Sequence, residues 1–195
     1  MMITLPENYL RESDEVFYTT AAVVTAGPVD LDFLKARAAA NPRQRARLCA
    51  HPAPGDRQHE MLIVHHRDVY VRPHRHLNKS ESLLLIEGFA TALYFNDTGS
   101  VEKTLSLGAA GSGRCFYYRM PAGVFHSLVI ESEWLVFHET TAGPFDRTTS
   151  AFAPWAPDGN DPAEGRRFLE TTIRAATAWL DGAEAMPSLS PRPSP

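Results

Sequence analysis

Three histidines and a glutamate in the middle of the chain have the spacing of a metal site. His74 and His76 are separated by one residue, Glu81 follows after a short polar turn, and His126 comes after Pro121-Ala122-Gly123. Alternate side chains of a β-strand share a face, so His74 and His76 can point toward one ion. A hairpin after His76 would bring the carboxylate of Glu81 back beside them.

These four side chains offer three neutral imidazoles and one carboxylate. Such a donor set suits borderline first-row ions, namely Fe, Mn, Ni, Cu or Zn, rather than calcium. We therefore expect one divalent transition metal ion as the cofactor, and the sequence leaves its identity open. Octahedral coordination would leave two positions for water, oxygen or a chelating substrate.

The segment that carries these residues has the pattern of an all-β unit. Between residues 59 and 153, short runs of hydrophobic and β-branched residues alternate with turn sequences such as Asn96-Asp97-Thr98-Gly99. This pattern predicts an antiparallel sandwich or barrel. No helical periodicity and no glycine-rich phosphate motif interrupts the segment, which argues against a nucleotide-binding βαβ fold.

The histidine and glycine positions resemble the two motifs of the cupin superfamily. His74, His76, Glu81 and Gly88 match the first motif, in which Asp68 takes the place of the usual first glycine. Pro121, Gly123 and His126 match the second motif. In that motif, Cys115 replaces the usual glycine and Ile130 replaces the usual asparagine. The resemblance implies a double-stranded β-helix, the cupin barrel, with His74, His76, Glu81 and His126 as metal ligands.

A narrower resemblance covers most of the chain. The segments 45–52, 59–88, 113–119 and 131–145 are similar to the WbuC-type cupin-fold metalloproteins. Members of that family are typically encoded among genes for bacterial surface polysaccharide. The resemblance implies a fold, a metal and a pathway context, but no defined reaction. Cupins commonly dimerise through their sheets, so we expect a homodimer.

Changes in composition divide the chain into four parts. We predict an N-terminal extension of strands, a short helix and an Arg/Pro-rich loop over 1–58, and the barrel over 59–153. A linker and a C-terminal helix follow over 154–182, and a proline- and serine-rich tail over 183–195 is expected to be disordered.

The C-terminal helix has clear start and stop signals. Asp161-Pro162-Ala163-Glu164 is an N-terminal capping sequence, and Gly182 is the predicted end. One apolar stripe should pack on the outside of the barrel, and its members are Leu169, Ile173, Ala176 and Leu180. In the N-terminal helix, Asp30 is the predicted N-cap.

Strand alternation also suggests which residues bind the substrate. If His74 and His76 face the interior, Arg72 and Tyr70 should do so too, and Arg72 would then bind an anionic group. Alternatively, Pro73 breaks the alternation and Arg72 points to solvent. The arginines 43, 45 and 47 resemble a solvated face, with the alternative that they hold phosphates of a nucleotide sugar.

Two pairs of neighbours supply the candidates for catalysis. Either Tyr117 or Tyr118 faces inward, Tyr118 as a proton donor or Tyr117 as a substrate contact, although each could also be a core residue. Similarly, either His138 or Glu139 faces inward as an acid or base, unless the side chain lies at a strand end in water. The sequence decides neither pair.

Composition excludes several classes of partner. The net charge of −4 argues against binding to nucleic acid or to an anionic membrane surface. No apolar run approaches the roughly 20 residues of a membrane span. The N-terminus lacks the pattern of a signal peptide, and Cys49 and Cys115 form no disulfide framework, so we expect a cytoplasmic protein with reduced thiols.

Three functions remain open on the sequence. The first is a metal-dependent enzyme acting on a sugar or sugar nucleotide, isomerase-like or epimerase-like, with a small anionic or sugar-like ligand. The second is an oxygenase-type cupin that uses Fe. The third is a non-catalytic protein that binds a sugar through its metal.

Overall fold

The computed structural model describes residues 5–184, and from 177 onward it describes only the backbone. The chain forms two α-helices, one turn of 3₁₀-helix (Arg147–Thr149) and twelve strands within this range. The helices are α1 (Pro28–Ala39) and α2 (Pro162–Glu184). The strands are β1 (Tyr9–Arg11), β2 (Val16–Thr19), β3 (Arg45–Cys49), β4 (Gln58–His66), β5 (His74–His76), β6 (Glu81–Glu87), β7 (Phe89–Phe95), β8 (Val101–Gly108), β9 (Tyr117–Met120), β10 (Phe125–Ile130), β11 (Trp134–Ala142) and β12 (Ser150–Phe152).

The strands of the described chain form two sheets. The larger has the order β1-β2-β3-β4-β11-β6-β9, and the smaller has the order β12-β5-β10-β7-β8. Every neighbouring pair is antiparallel except β2 and β3, which are parallel. Apart from the β7–β8 hairpin, successive strands from β5 to β12 alternate between the sheets. This arrangement is the predicted double-stranded β-helix.

The main core lies between the two sheets. Strand alternation sends Leu83 and Leu85 of β6 into it, where they are 2% and 3% exposed. The small sheet contributes Ala92 and Leu128 from the opposite side. Apolar side chains of both sheets thus face each other across the space between them.

A second core lies on the outer face of the large sheet. Ala46 and Leu48 of β3 point away from the main core and pack against Leu34 of α1. Asp30 is at the third position of α1 rather than at its N-cap, and its carboxylate accepts a hydrogen bond of 2.7 Å from the backbone N–H of Gly27. Because α1 covers this face, β3 is held with its alternate side chains directed toward the space between the sheets.

The C-terminal helix packs on the small sheet. Leu169 is 2% exposed among Leu93, Phe95 and Phe125, and Ile173 packs against the same cluster. The helix continues through Gly182 to Glu184, so the prediction that Gly182 ends it is wrong. The side chain of Leu180 and the predicted tail beyond 184 lie outside the described residues.

Two local features differ from the sequence prediction. Strand β3 was not predicted, and it joins the N-terminal segment to the large sheet by pairing with β4. Strand β5 is short, because residues 67–73 run irregularly before it and Pro73 is fully buried. Neither helix in the described part of the chain is both long and apolar enough to cross a membrane.

Candidate metal centre

The two sheet strands β5 and β10 place the three histidines side by side. His74 and His76 occupy alternate positions of β5, and His126 of β10 is paired directly with His74. The turn before β10 is fixed by Gly123, which has a φ of +86° and donates a backbone hydrogen bond of 2.7 Å to the carbonyl of His76. Only glycine adopts this conformation without strain, so the turn locks the start of β10 onto β5.

Each imidazole uses Nδ1 for a supporting contact. In His74, Nδ1 lies 2.8 Å from the carbonyl oxygen of Arg72, and in His126 it lies 3.0 Å from the carbonyl oxygen of Val124. In His76 it lies 2.9 Å from the hydroxyl of Ser150 on β12. These contacts orient the rings and leave Nε2 of each histidine for a ligand, as is usual for histidines that bind metal.

The facing atoms of the three rings are close enough to share one ion. One ring nitrogen from each of His74, His76 and His126 lies within 4.8 Å of the others. Burial, aided by the charge of neighbouring His126, lowers the pKa of His74 to about 3, which keeps this imidazole neutral and able to coordinate. The three histidines could therefore hold a divalent ion.

Glu81 reaches the cluster from the opposite sheet. It is the first residue of β6 and is only 6% exposed. Its Oε2 lies 2.9 Å from Nε2 of His76, and its Oε1 lies 3.0 Å from Nε2 of His126. Burial alone would raise the pKa of Glu81, but the contacts with His126 and His76 outweigh it and hold the pKa below its usual range.

The three imidazoles and the carboxylate of Glu81 have the chemistry of a transition-metal site. Nε2 of His126 is buried and lacks a partner in hydrogen-bond geometry among the described residues, although Glu81 is near. A buried polar atom without such a partner is costly in a folded protein. A cation at the shared point would satisfy this nitrogen and the carboxylate together, and three nitrogens with one oxygen suit a first-row transition ion.

The cluster lies in a cavity of about 500 Å³ between the two sheets. Glu139 of β11 and Tyr118 of β9 line the same cavity. Burial, with the negative charge of Glu81 adding to it, raises the pKa of Glu139 to about 8. Burial likewise raises the pKa of Tyr118, again with a contribution from Glu81, so its hydroxyl keeps its proton.

The structure shows which residue of each open pair, Tyr117 or Tyr118 and His138 or Glu139, faces the cavity. Tyr118 is 8% exposed inside, whereas Tyr117 is 50% exposed on the outer face, where its hydroxyl donates to Ser82. Glu139 points into the cavity, and His138 lines a shallow pocket on the outer face of the large sheet. His138 and Tyr117 therefore do not reach the metal centre.

Arg72 and Tyr70 also lie away from the cavity, contrary to the prediction from alternation. Arg72 donates a hydrogen bond of 3.2 Å to the carbonyl of Asp158, and its guanidinium lies over the ring of Phe152. The hydroxyl of Tyr70 donates to the carbonyl of Pro157, and its ring packs under α2. The reason is the irregular segment before β5, where Pro73 interrupts the alternation and Val71 lines the cavity instead.

The sequence placed none of several further residues inside the cavity, although it offered Arg47 among three arginines that could hold phosphates. Arg47 and Cys49 of β3 face the cavity, as does His65 of β4. His51 and His59 are stacked at the cavity wall with ring centroids 4.0 Å apart. One feature of the sequence could have predicted the direction of Arg47 and Cys49: in 45–49 the apolar residues Ala46 and Leu48 alternate with them. A basic stretch is, however, more typical of a solvated face.

The topology and the histidine cluster together decide the fold. The chain has a cupin fold. Residues 28–107 match a family described as a domain of unknown function, DUF6016. No curated protein matches the chain.

Several solved structures are similar to this chain. The capsular polysaccharide assembling protein CapF from Staphylococcus aureus is 16% identical, with 50% of this chain and 27% of that chain covered and a TM-score of 0.41. Oxalate decarboxylase from Bacillus subtilis is 16% identical over 55% of this chain and 27% of its own, with a TM-score of 0.42. An uncharacterised double-stranded β-helix protein from Klebsiella pneumoniae is 15% identical over 56% and 79%, with a TM-score of 0.43. The matched region thus spans about a quarter of the first two proteins.

Proposed function

We propose that this cupin is a metal-dependent enzyme that isomerises or epimerises a sugar or sugar nucleotide in bacterial surface polysaccharide synthesis. One observation carries the proposal: the half-buried carboxyl group of Glu139 shares a cavity with the histidine cluster. The pathway context rests on the sequence resemblance of 59–88 and 131–145 to the WbuC-type cupins. The reaction class rests on the chemistry of the cavity.

The ligands of the proposed ion are His74, His76, His126 and Glu81. Glu81 comes from the large sheet and the histidines from the small one, so the ion would also tie the two sheets together. A divalent ion held there would polarise a carbonyl oxygen of the substrate. The supporting contacts of the three rings keep the ligand atoms in place.

Glu139 is the proposed acid and base. A hydrogen on the carbon next to a polarised carbonyl is acidic, and an isomerase or epimerase must remove it and return a proton. A group whose pKa lies near the working pH does both well, and burial has moved the pKa of Glu139 to about 8. In its ionised form, Glu139 would take the proton and return it to the neighbouring carbon on the same face, which completes an isomerisation. An epimerisation would in addition need a proton donor on the opposite face of the intermediate.

Tyr118 has a positioning role in this proposal. Its hydroxyl is buried in the cavity wall and keeps its proton over the physiological range. It can therefore donate a hydrogen bond to a substrate oxygen. The remaining lining near it is apolar, with Leu83 and Leu128, which limits the access of water to the reacting carbon.

Hydrogen exchange with solvent tests the proposal. Protein loaded with Mn²⁺ is incubated in D₂O with a panel of nucleotide sugars and keto sugars, and deuterium incorporation into the sugar is measured by mass spectrometry. Incorporation that requires both the metal and Glu139 supports the proposal. Oxygen uptake without deuterium incorporation would identify an oxygenase instead, and tight binding without either would identify a non-catalytic sugar-binding protein.

A further inference from the structure

Arg47 lies at the middle of β3 with its side chain in the cavity. Its neighbours Ala46 and Leu48 are buried on the other face against α1, so the backbone cannot turn Arg47 outward without losing that packing. The cavity also contains Cys49 and Tyr18 on the same side. The orientation of Arg47 is therefore set by the fold rather than by a flexible loop.

The three arginines of this region differ in their partners. Arg43 and Arg45 both pair with Glu15, at 3.2 Å and 2.9 Å. Among the side chains of residues 5–176, no carboxylate lies within ion-pair distance of Arg47, and its buried Nε has no hydrogen-bond partner. A guanidinium whose nitrogen is buried and unsatisfied is costly unless a ligand completes it.

The charge of Arg47 acts on the interior of the cavity. Besides burial, it lowers the pKa of His65, and it opposes the burial that raises the pKa of Glu139. Lys79 also opposes the raised pKa of Glu139 and lines the cavity, as does Arg147. Arg47, Lys79 and Arg147 thus bring positive charge to a cavity wall that also carries Glu12, Glu81 and Glu139, and a divalent ion would add to the positive charge.

We propose that Arg47 binds an oxyanion, a phosphate or carboxylate group, of a ligand that extends from the metal centre across the cavity. The planar guanidinium offers two parallel N–H groups that match two oxygens of such an anion. This assignment rests on the proposed function in placing the rest of the ligand at the metal. Of the two anion sites that the sequence suggested, it drops Arg72 and narrows the stretch of arginines 43, 45 and 47 to Arg47.

The anion-binding step can be tested apart from the metal. Inorganic phosphate and acetate are titrated by calorimetry into the wild type and into Arg47→Gln, each metal-free after chelation and again loaded with Co²⁺. We expect saturable binding of at least one of the two anions to the wild type. Its dissociation constant should rise about 10- to 100-fold in Arg47→Gln, as for a charge-assisted hydrogen-bonded pair.

Two control variants make the comparison specific. Arg45→Gln alters the same strand and the same face, but Arg45 is already paired with Glu15, so its anion affinity should stay within about twofold of the wild type. Arg72→Gln should also leave the affinity unchanged. Arg47→Lys should recover part of the affinity, because the charge remains and the two-pronged geometry is lost. The better-bound anion distinguishes a phosphorylated ligand from a sugar acid.

The anion titrations test the role of Arg47, and the Co²⁺ titrations test the metal site separately. Absence of saturable anion binding, or equal affinities in wild type and Arg47→Gln, overturns the role of Arg47 even if Co²⁺ binds normally. A loss of affinity in Arg45→Gln equal to that in Arg47→Gln would also overturn it. Failure of Co²⁺ to bind the wild type would contradict the metal centre, while the metal-free titration would still decide the role of Arg47.

Discussion

His126 and His74 face each other across the β5–β10 pair, with their ring centroids 4.3 Å apart. The two residues are far apart along the chain, and the register of the two strands brings them together. The turn at Gly123 sets that register through its hydrogen bond to His76. The geometry of the metal centre is therefore a property of the backbone as much as of the ligands.

Gly123→Ala tests this dependence. An alanine at a φ of +86° is strained by about 1–2 kcal/mol, so the free energy of unfolding should fall by that amount and Co²⁺ should bind more weakly. Gly55→Ala is the matched control, because Gly55 has no positive φ and no heavy atom near an added Cβ. Urea denaturation and Co²⁺ titration measure the two effects. Equal stability of the two variants would contradict the role of the turn.

Glu139→Gln tests the acid and base role. The substitution keeps the shape of the side chain and removes its proton transfer, so deuterium exchange on a substrate should slow by about 10²–10⁴-fold. The metal content should not change, because Glu139 is not among the proposed ligands. Glu60→Gln is the control, since Glu60 lines the outer-face pocket beside His138. A Glu139→Gln variant with wild-type exchange would remove Glu139 from the mechanism.

His65 predicts a pH dependence of stability. Burial, with the charges of Arg47 and Arg43, lowers its pKa from 6.5 to about 4. Between these values the unfolded chain binds a proton that the folded protein does not, so stability is complete above pH 6.5 and falls as the pH drops toward 4. The loss attributable to this residue is about 3 kcal/mol. In His65→Phe, urea denaturation at pH 4.5 and 7 should show a smaller difference than in the wild type; an unchanged difference would show that His65 does not contribute.

Leu169→Ala tests the packing of α2 on the small sheet. Leu169 is 2% exposed, and its truncation should lower the free energy of unfolding by about 2–5 kcal/mol. The next residue, Glu170, is exposed, so Glu170→Ala should change the stability by less than about 0.5 kcal/mol. Denaturation curves of the two variants give the comparison. A small effect of Leu169→Ala would mean that α2 is not docked in solution.

The sequence predicted the features that depend on short-range geometry. His74 and His76 share a face because β5 is a regular strand, and the Gly123 turn was recognisable from its composition. Leu83 and Leu85 face inward by the same alternation. In each case a few consecutive residues determine the direction of the side chain.

The remaining features depend on contacts that the sequence pattern does not contain. Alternation could not tell His138 from Glu139, because the inner face of β11 is decided by its partner strands β4 and β6. It misplaced Arg72, because Pro73 interrupts the strand pattern before β5 and the half-buried Val71 lines the cavity instead. The pattern could not decide whether Arg47 belonged to a solvated face or to a phosphate site, because its direction is set by the packing of α1 on the other face of β3.

The metal content of the purified protein is the most direct test of whether the histidine cluster and Glu81 bind a divalent transition ion. Wild-type protein, His126→Ala and His138→Ala are purified without added metal and analysed by inductively coupled plasma mass spectrometry. We expect about one divalent transition ion per chain in the wild type and in His138→Ala, whose histidine lies on the outer face, and a large loss in His126→Ala. The metal centre would be contradicted if the wild type bound no such ion even when the ion is supplied. It would also be contradicted if His126→Ala kept its full metal content.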